Sequence, residues 1–510
     1  MAIAAPNTST SATAPGPGTG QSYGVPLATV TTLFFMWGFL TCLNDILIPH
    51  LKSIFNLNYR QGMMVQFFFF GAYAVFSIPS AKLIDWIGYQ RSMVAGLFTM
   101  AAGAFLFVPA ASVPSYPLFL FAVIVLAAGI TCLQVAANPY VTVLGKPETA
   151  SSRLNLTQAF NSLGTFLAPF FGALLILTAA PKTSAEISAL GPAALQAYRL
   201  HEAATVKSPY VALGIALVLL GIVIGMFKLP KIEHAQHQLG VKVNDSIWKH
   251  PNLVFGAIAI FVYVGAEVSI GSFLVNYFHE SNIGGLTEKL AASFVAFYWG
   301  GAMLGRFIGS NFLGGAKVKY MSLVTAITIA LILLSYPIQS HMPAGYEPGV
   351  PNLTWLAWLV VAGRPLFILV AIATATIAAM AALRGGSAKA NTGILLGICA
   401  ISTSALVAVS MLSNGDLAMW SIILVGFFNS IMFPSIFTLG VAELGPLTGD
   451  GSGIMIMAIV GGALIPVAQG WIADHIGIHH AFFLPVICYL YILFFALSGS
   501  KPNSERYAKA

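Results

Sequence analysis

The sequence predicts an all-helical protein that crosses a membrane many times, and three observations carry that prediction. Of its 510 residues, 58% are hydrophobic and 8% are charged, against the roughly 25% charge of an ordinary soluble domain. The mean hydropathy is +0.85. The apolar residues also form continuous runs, each long enough for the roughly 20 residues a helix needs to cross hydrocarbon. Barrel strands would instead alternate over roughly 10 residues.

In chain order, residues 1–24 are rich in Ser, Thr, Pro, Gly and Ala and read as a disordered cytoplasmic tail without a secretory cleavage pattern. Fourteen hydrophobic segments follow. The first six span 27–55, 61–84, 91–113, 117–144, 154–180 and 208–229. The other eight span 252–279, 290–313, 318–340, 354–383, 391–412, 416–444, 451–473 and 480–499. A polar stretch at 230–251 separates the two sets, so we expect two helix bundles, 25–229 and 252–500, a cytoplasmic linker between them and a short cytoplasmic tail at 501–510.

Charge sets the expected topology. Sixteen Lys and Arg residues, among them Lys82, Arg91, Lys146, Arg153, Lys228, Arg306 and Arg384, fall in alternate loops. The opposite loops hold only Lys52, Arg60, Lys182, Arg199, Lys207 and Lys289. This asymmetry predicts that both termini face the cytoplasm. The net charge of +7 therefore reflects topology and gives no reason to expect a nucleic-acid partner. Cys42, Cys132, Cys399 and Cys488 all lie in apolar runs, so neither a disulfide framework nor a metal motif follows.

The residues that invite chemistry are polar groups inside these runs. Asn44 and Asp45 sit mid-segment in "LTCLNDILIPHL". A charged carboxylate there costs roughly 2.5–3.5 kcal/mol on insertion scales, so Asp45 either faces a cavity, pairs with a neighbouring helix or carries a proton. In the fourth segment Gln134 and Asn138 are four apart and share a helix face. The fifth, "SSRLNLTQAFNSLGTF", repeats Asn155, Gln158, Asn161 with Ser162, and Thr165 at three-and-four spacing. Such amides either glue helices together or line a wet cavity for an uncharged solute with many hydroxyls.

Glu267 repeats the puzzle in the seventh segment, with Tyr263 one turn before and Gly271 one turn after. Asn276 joins Glu267 only if the helix unwinds near Gly271. Asn429, in "GFFNSIMFPSIF", is a further hydrogen-bonding candidate. The aromatic residues nearby are expected chiefly to pack. Asp85 with Arg91, and Asp474, are candidate gating charges, since "AKLIDWIG" (81–88) and "GWIADHIG" (470–477) echo one another. No hydrolase, protease or nucleotide-binding motif is present, and no filter loop of a channel, so an enzyme is not expected.

The Asp85 segment resembles a degenerate form of the loop signature of the major facilitator superfamily. "NDILIPHL", "AANPYVTVLG", "RLNLTQAFNSLG", "YVGAEVSIGSFLVNY" and "NSIMFPSIFTLG" resemble its fucose/galactose/glucose:proton symporter branch more specifically. This resemblance covers most of the chain. It implies two bundles of six helices, a proton-carrying Asp45, and sugar-binding Gln158 and Asn161. Gln134 stands where fucose symporters have a glutamate, whereas the glucose/galactose members are similar to this chain in having glutamine there and a glutamate at the Glu267 position. Glu267 itself either couples or binds, or packs as a pair with a neighbouring helix.

The expected function is import of a hexose, glucose or galactose before fucose or N-acetylglucosamine, coupled to protons. Sodium-coupled or uncoupled transport, a drug exporter or a non-transporting receptor are the alternatives. Asn44, Gln134, Asn138, Gln158, Asn161, Asn276 and Asn429 are the expected substrate contacts, and Asp45 and Glu267 the expected coupling groups. The implied setting is a bacterial inner membrane, with the bilayer and a sugar as partners, the proton as coupling ion, no cofactor, and a monomer sufficient for transport. Twelve spans are usual for the family, so a hydrophobic pair is expected as an insertion at about 316–386.

Overall fold

The computed structural model describes residues 24–55, 64–175, 190–227, 229–230, 246–286, 288–341, 353–388 and 391–501. The first bundle comprises α1 (Gly24–Phe55), α2 (Met64–Ile87), α3 (Tyr89–Ser112), α4 (Tyr116–Val143), α5 (Ala150–Leu175), α6 (Pro192–Thr205) and α7 (Lys207–Met226). The second opens with α8 (Pro251–His279), α9 (Glu288–Leu313), α10 (Val318–Ser340), α11 (Leu353–Ala362) and α12 (Arg364–Leu383). It closes with α13 (Thr392–Leu412), α14 (Gly415–Asn429), α15 (Met432–Gly440), α16 (Thr448–Met457), α17 (Gly461–Ile476), α18 (Ile478–Ala481) and α19 (Phe483–Phe494). Among the described residues, twelve stretches are long and apolar enough to cross a membrane. α5 and α9, each 26 residues long, lie alongside with polar faces, and together these account for the fourteen segments.

Helices are the only economical choice here, because a backbone surrounded by lipid must satisfy its own hydrogen bonds. Their breaks follow from sequence. Two helix ends share one device: Gly88 after α2 and Gly477 after α17 hold φ near 83° and 85°, which glycine adopts without steric cost. These are the glycines of the echoed motifs, so the echo is one of backbone as well as letters.

Proline supplies a second device. Its ring lacks an N–H and crowds the carbonyl four residues earlier. Pro434 thereby leaves Ser430 O free at the break between α14 and α15, and Arg306 Nε takes it at 3.0 Å. Pro139 frees Val135 O in α4, which accepts from Ser452 Oγ of the other bundle at 2.9 Å. The helical bonds lost to proline become contacts between helices.

The hydrogen bonds that join the bundles gather from the middle of the molecule toward the end where α4 meets α5. There Ser152 Oγ donates to Ser310 O at 2.6 Å and Ser310 Oγ to Ser152 O at 3.0 Å, while Ser151 Oγ lies 2.8 Å from Thr438 Oγ1. At the opposite end, Asn282 Nδ2 reaches Asn414 Oδ1 and His479 Nδ1 within the second bundle.

The expected pair at 316–386 is a peripheral hairpin of α10 with α11 and α12. Only 17% of the apolar stretch of α10 and 28% of that of α12 is buried, against 78% for α14 and α15. A two-residue ladder pins its base, Ala316 opposite Ala388 and Lys317 opposite Ser387. The segment read as one span from 354 to 383 divides at Gly363, after which Arg364 begins α12. Arg364 is kept in the span by Ser335 Oγ at 2.6 Å, Gln339 Oε1 at 2.8 Å and the Tyr336 ring at 4.1 Å.

Candidate functional site

Two polar walls meet at the centre. The first-bundle wall is built on α4 and α5. Gln134, Asn138 and Gln158 are all buried, Asn138 completely. Gln134 Nε2 donates to Tyr73 OH at 2.9 Å and Gln158 Nε2 to Asn138 Oδ1 at 3.4 Å. Asn138 Nδ2 has no protein partner among the described residues, so a buried donor remains on this wall.

Asn161 and Thr165 spend their hydrogen bonds differently. Asn161 Nδ2 donates to Phe34 O at 2.9 Å and Thr165 Oγ1 to Gly38 O at 3.3 Å, both on α1. Gly38 and Gly164 admit this close approach, since a Cβ on either would collide with the facing backbone. The stripe is therefore divided: its Gln158 side faces α4, while Asn161 and Thr165 hold α1.

The second-bundle wall is built on α8, α9 and α14. Tyr263 OH lies 2.7 Å from Glu267 Oε1 and 3.1 Å from Asn429 O. Asn429 Nδ2 donates to Tyr298 OH at 3.1 Å and Tyr489 OH at 2.8 Å. Its Oδ1 is buried without a protein partner among the described residues. Arg306 Nη2 stands 3.8 Å from Glu267 Oε1, with the two side chains 10% and 13% exposed.

Arg306 links the walls. It lies inside α9, buried, with Nη1 on Ser162 Oγ of α5 and Nε on Ser430 O. Ser162 Oγ in turn donates to Gln158 O at 3.2 Å. The sequence reading that counts Arg306 among loop cations is corrected: seven residues remain in α9 beyond it, and a buried carboxylate balances its charge. The signal was present, because Arg306 falls within the 290–313 segment and an ionisable group inside a span is itself a functional flag.

Other expected residues fall elsewhere. α8 runs unbroken past Gly271, so Asn276, nine residues beyond Glu267, turns away and is exposed. It does not join the Glu267 cluster. Asn44 and Asp45 lie in α1, in a stretch (43–50) whose side chains are outside the described residues. Asp85 Oδ1 comes within 3.4 Å of where a Cβ on Gly449 would stand, at the first turn of α16. A carboxylate of one bundle thus faces the positive end of a helix of the other. Arg91 is exposed in the first turn of α3. Asp474 is exposed at the last turn of α17, at the opposite end of the molecule from Asp85. No group of metal-ligating side chains occurs among the described residues.

Residues 28–393 match the family described as Major Facilitator Superfamily. The chain is 46% identical over 481 residues to a "Glucose/galactose transporter" of Brucella abortus, covering 94% of this chain and 95% of that protein. A "Putative glucose/galactose transporter" of Helicobacter pylori is 39% identical, with 94% and 98% covered. The "L-fucose-proton symporter" of Escherichia coli is 31% identical, with 93% of each covered. The solved structure of that fucose symporter in the outward conformation matches with a TM-score of 0.71 at 28% identity, over 94% of this chain and all of that one.

Proposed function

The chain belongs to the Major Facilitator Superfamily, a multi-pass membrane transporter rather than an enzyme, and on that premise we propose that it imports a hexose, glucose or galactose, together with a proton. The observation that carries this reading is the buried Glu267–Arg306 pair, tied through Ser162 to the amide stripe of the other bundle. It is supported by relatives named for glucose, galactose and fucose with a proton.

The walls divide the work. Gln134, Asn138 and Gln158 offer donors and acceptors to hydroxyls, the opposite wall adds Asn429, and Asn138 Nδ2 and Asn429 Oδ1 are a donor and an acceptor without a protein partner among the described residues. A sugar hydroxyl does both jobs at once. Uncharged amides also match an uncharged solute.

The opposite wall handles the proton. Tyr263 has one hydroxyl hydrogen and two acceptors in reach. With Glu267 ionised, that hydrogen points to the carboxylate. With Glu267 protonated, the acid donates to Tyr263, whose own hydrogen turns to Asn429 O. Protonation also removes the charge that holds Arg306, which frees its grip on Ser162 and lets the bundles part. Asp45, on α1, is the second coupling group in this reading.

The charge asymmetry survives the transfer of Arg306 from loop to span, which supports cytoplasmic termini. The end where α4 meets α5 is then cytoplasmic. Closed there by Ser151, Ser152 and Asp85, the molecule stands outward-facing, in keeping with the conformation of the matched symporter.

Counterflow in proteoliposomes tests this reading. Glucose or galactose should exchange, and sugar entry without sodium should alkalinise the outside. If none of glucose, galactose, fucose or N-acetylglucosamine exchanges, the hexose reading fails; exchange that needs sodium and ignores pH removes the proton.

A further inference from the structure

A cavity lies away from the proposed sugar site. A cleft of about 610 Å³ opens between α1, α5 and α7, lined by Leu27, Thr31, Phe35, Phe160, Ala216 and Leu220 among others. It arises because α7 packs along α3 and leaves its other side apart from α1. Its volume falls in the range of roughly 300–1,000 Å³ typical of ligand pockets.

The chemistry of the lining is uniform. Its hydroxyls, Thr31 and Thr32, donate back to carbonyls of their own helix, Leu27 O at 2.7 Å and Thr29 O at 2.7 Å. Nothing in the wall asks for water or a sugar, and an apolar hollow with no polar partners does not hold water stably. At the mouth, Ala28, Thr32 and Ala216 are exposed, and Ile215 and Leu219 beside them, at 50% and 57%, continue into the outer face of α7. The cleft is thus an inlet of the lipid-facing surface.

Length narrows the occupant. The lining runs along α1 from Gly24 to Met36, about 18 Å at 1.5 Å per residue, close to the roughly 15 Å of one leaflet's hydrocarbon. An unbranched alkyl chain reaching from the headgroups to the bilayer middle has that length and the apolar chemistry of the lining.

We propose that this cleft binds one acyl chain of a membrane phospholipid, in the leaflet at the end of the molecule where α4 meets α5. The chain lies against the side of α1 away from the inner wall of the sugar site. It also touches Phe160, whose ring meets Phe307 of the other bundle edge-on at 5.8 Å. An acyl chain here braces α1 and one aromatic contact across the seam. The inference is independent of which solute is carried.

The test uses the full chain in liposomes containing a phospholipid with a mid-chain diazirine, with cross-links mapped by mass spectrometry. Peptides holding residues 24–36 and 216–220 should be labelled at least threefold more than α10, whose surface faces bulk lipid. Ala216→Phe, or Ala28→Phe should the first not fold, should cut cleft labelling at least threefold and leave α10 labelling unchanged. Equal labelling of cleft and α10, or labelling indifferent to both substitutions, would mean that the cleft is only wetted by bulk lipid and would overturn the proposal. A several-fold rise in cleft labelling on removing residues 2–20 would overturn it too, by making the tail the occupant.

Discussion

The two walls of the central site are built from different materials. The α4–α5 wall is neutral, and its amides bond to one another, to Tyr73 and to backbone. The α8–α9–α14 wall carries the ion pair and a ring of tyrosines around Asn429. In a lipid-surrounded core this asymmetry has a physical consequence. Amides hold hydroxyls without changing charge, so that wall can bind in every state, whereas a carboxylate beside a guanidinium changes the electrostatics of the whole site when a proton arrives. In the proposed function, binding therefore rests mainly on the first wall and proton handling mainly on the second, Asp45 on α1 and Asn429 on α14 being the exceptions, and the Ser162–Arg306 hydrogen bond joins the two.

The severest way to break this comparison is to strand a charge. Arg306→Ala leaves Glu267 buried and unpaired, and losing one partner of such a pair costs about 3–5 kcal/mol. We expect a large fall in thermal stability in detergent, with transport abolished. Adding Glu267→Gln should recover most of the stability but no proton-driven uptake, and a double variant no more stable than Arg306→Ala would detach the pair from this role.

Glu267→Gln alone should separate exchange from accumulation. Counterflow is retained within a few-fold and becomes independent of pH, while uptake on an imposed proton gradient falls at least tenfold. Equal loss of both would make Glu267 a binding group instead.

On the neutral wall, Gln158→Ala should weaken sugar binding about tenfold, the worth of one hydrogen bond of about 1.4 kcal/mol, with proton stoichiometry unchanged. A titration of counterflow against sugar concentration reads the shift. A change in stoichiometry would break the division between walls.

Asn276→Ala marks the lower limit. An exposed residue turned away from the site should change stability and counterflow little, by about 0.5 kcal/mol or less. A tenfold loss of affinity would bring it back as a substrate contact.

What the sequence determined by itself is whatever depends on neighbours along the chain. Fourteen apolar runs and acids stranded inside spans are local facts, because hydropathy acts within a few residues. The helix breaks at Gly88, Gly477 and Pro434 also have local causes, yet 416–444 reads as one run until the structure divides it before Pro434. Gln134 with Asn138 is legible for the same reason, being one helical turn apart. Tertiary structure alone decided which of these groups meet. Arg306 reads as a loop cation until α9 sets it against Glu267, 39 positions away in the numbering, and Ser162, 144 away. Asn161 and Gln158 look equivalent in the stripe, yet packing turns one to the α1 backbone and the other to Asn138. Periodicity gives the face of a helix but not its neighbour, and in a bundle of similar apolar helices the neighbour decides whether a polar group binds, couples or merely holds.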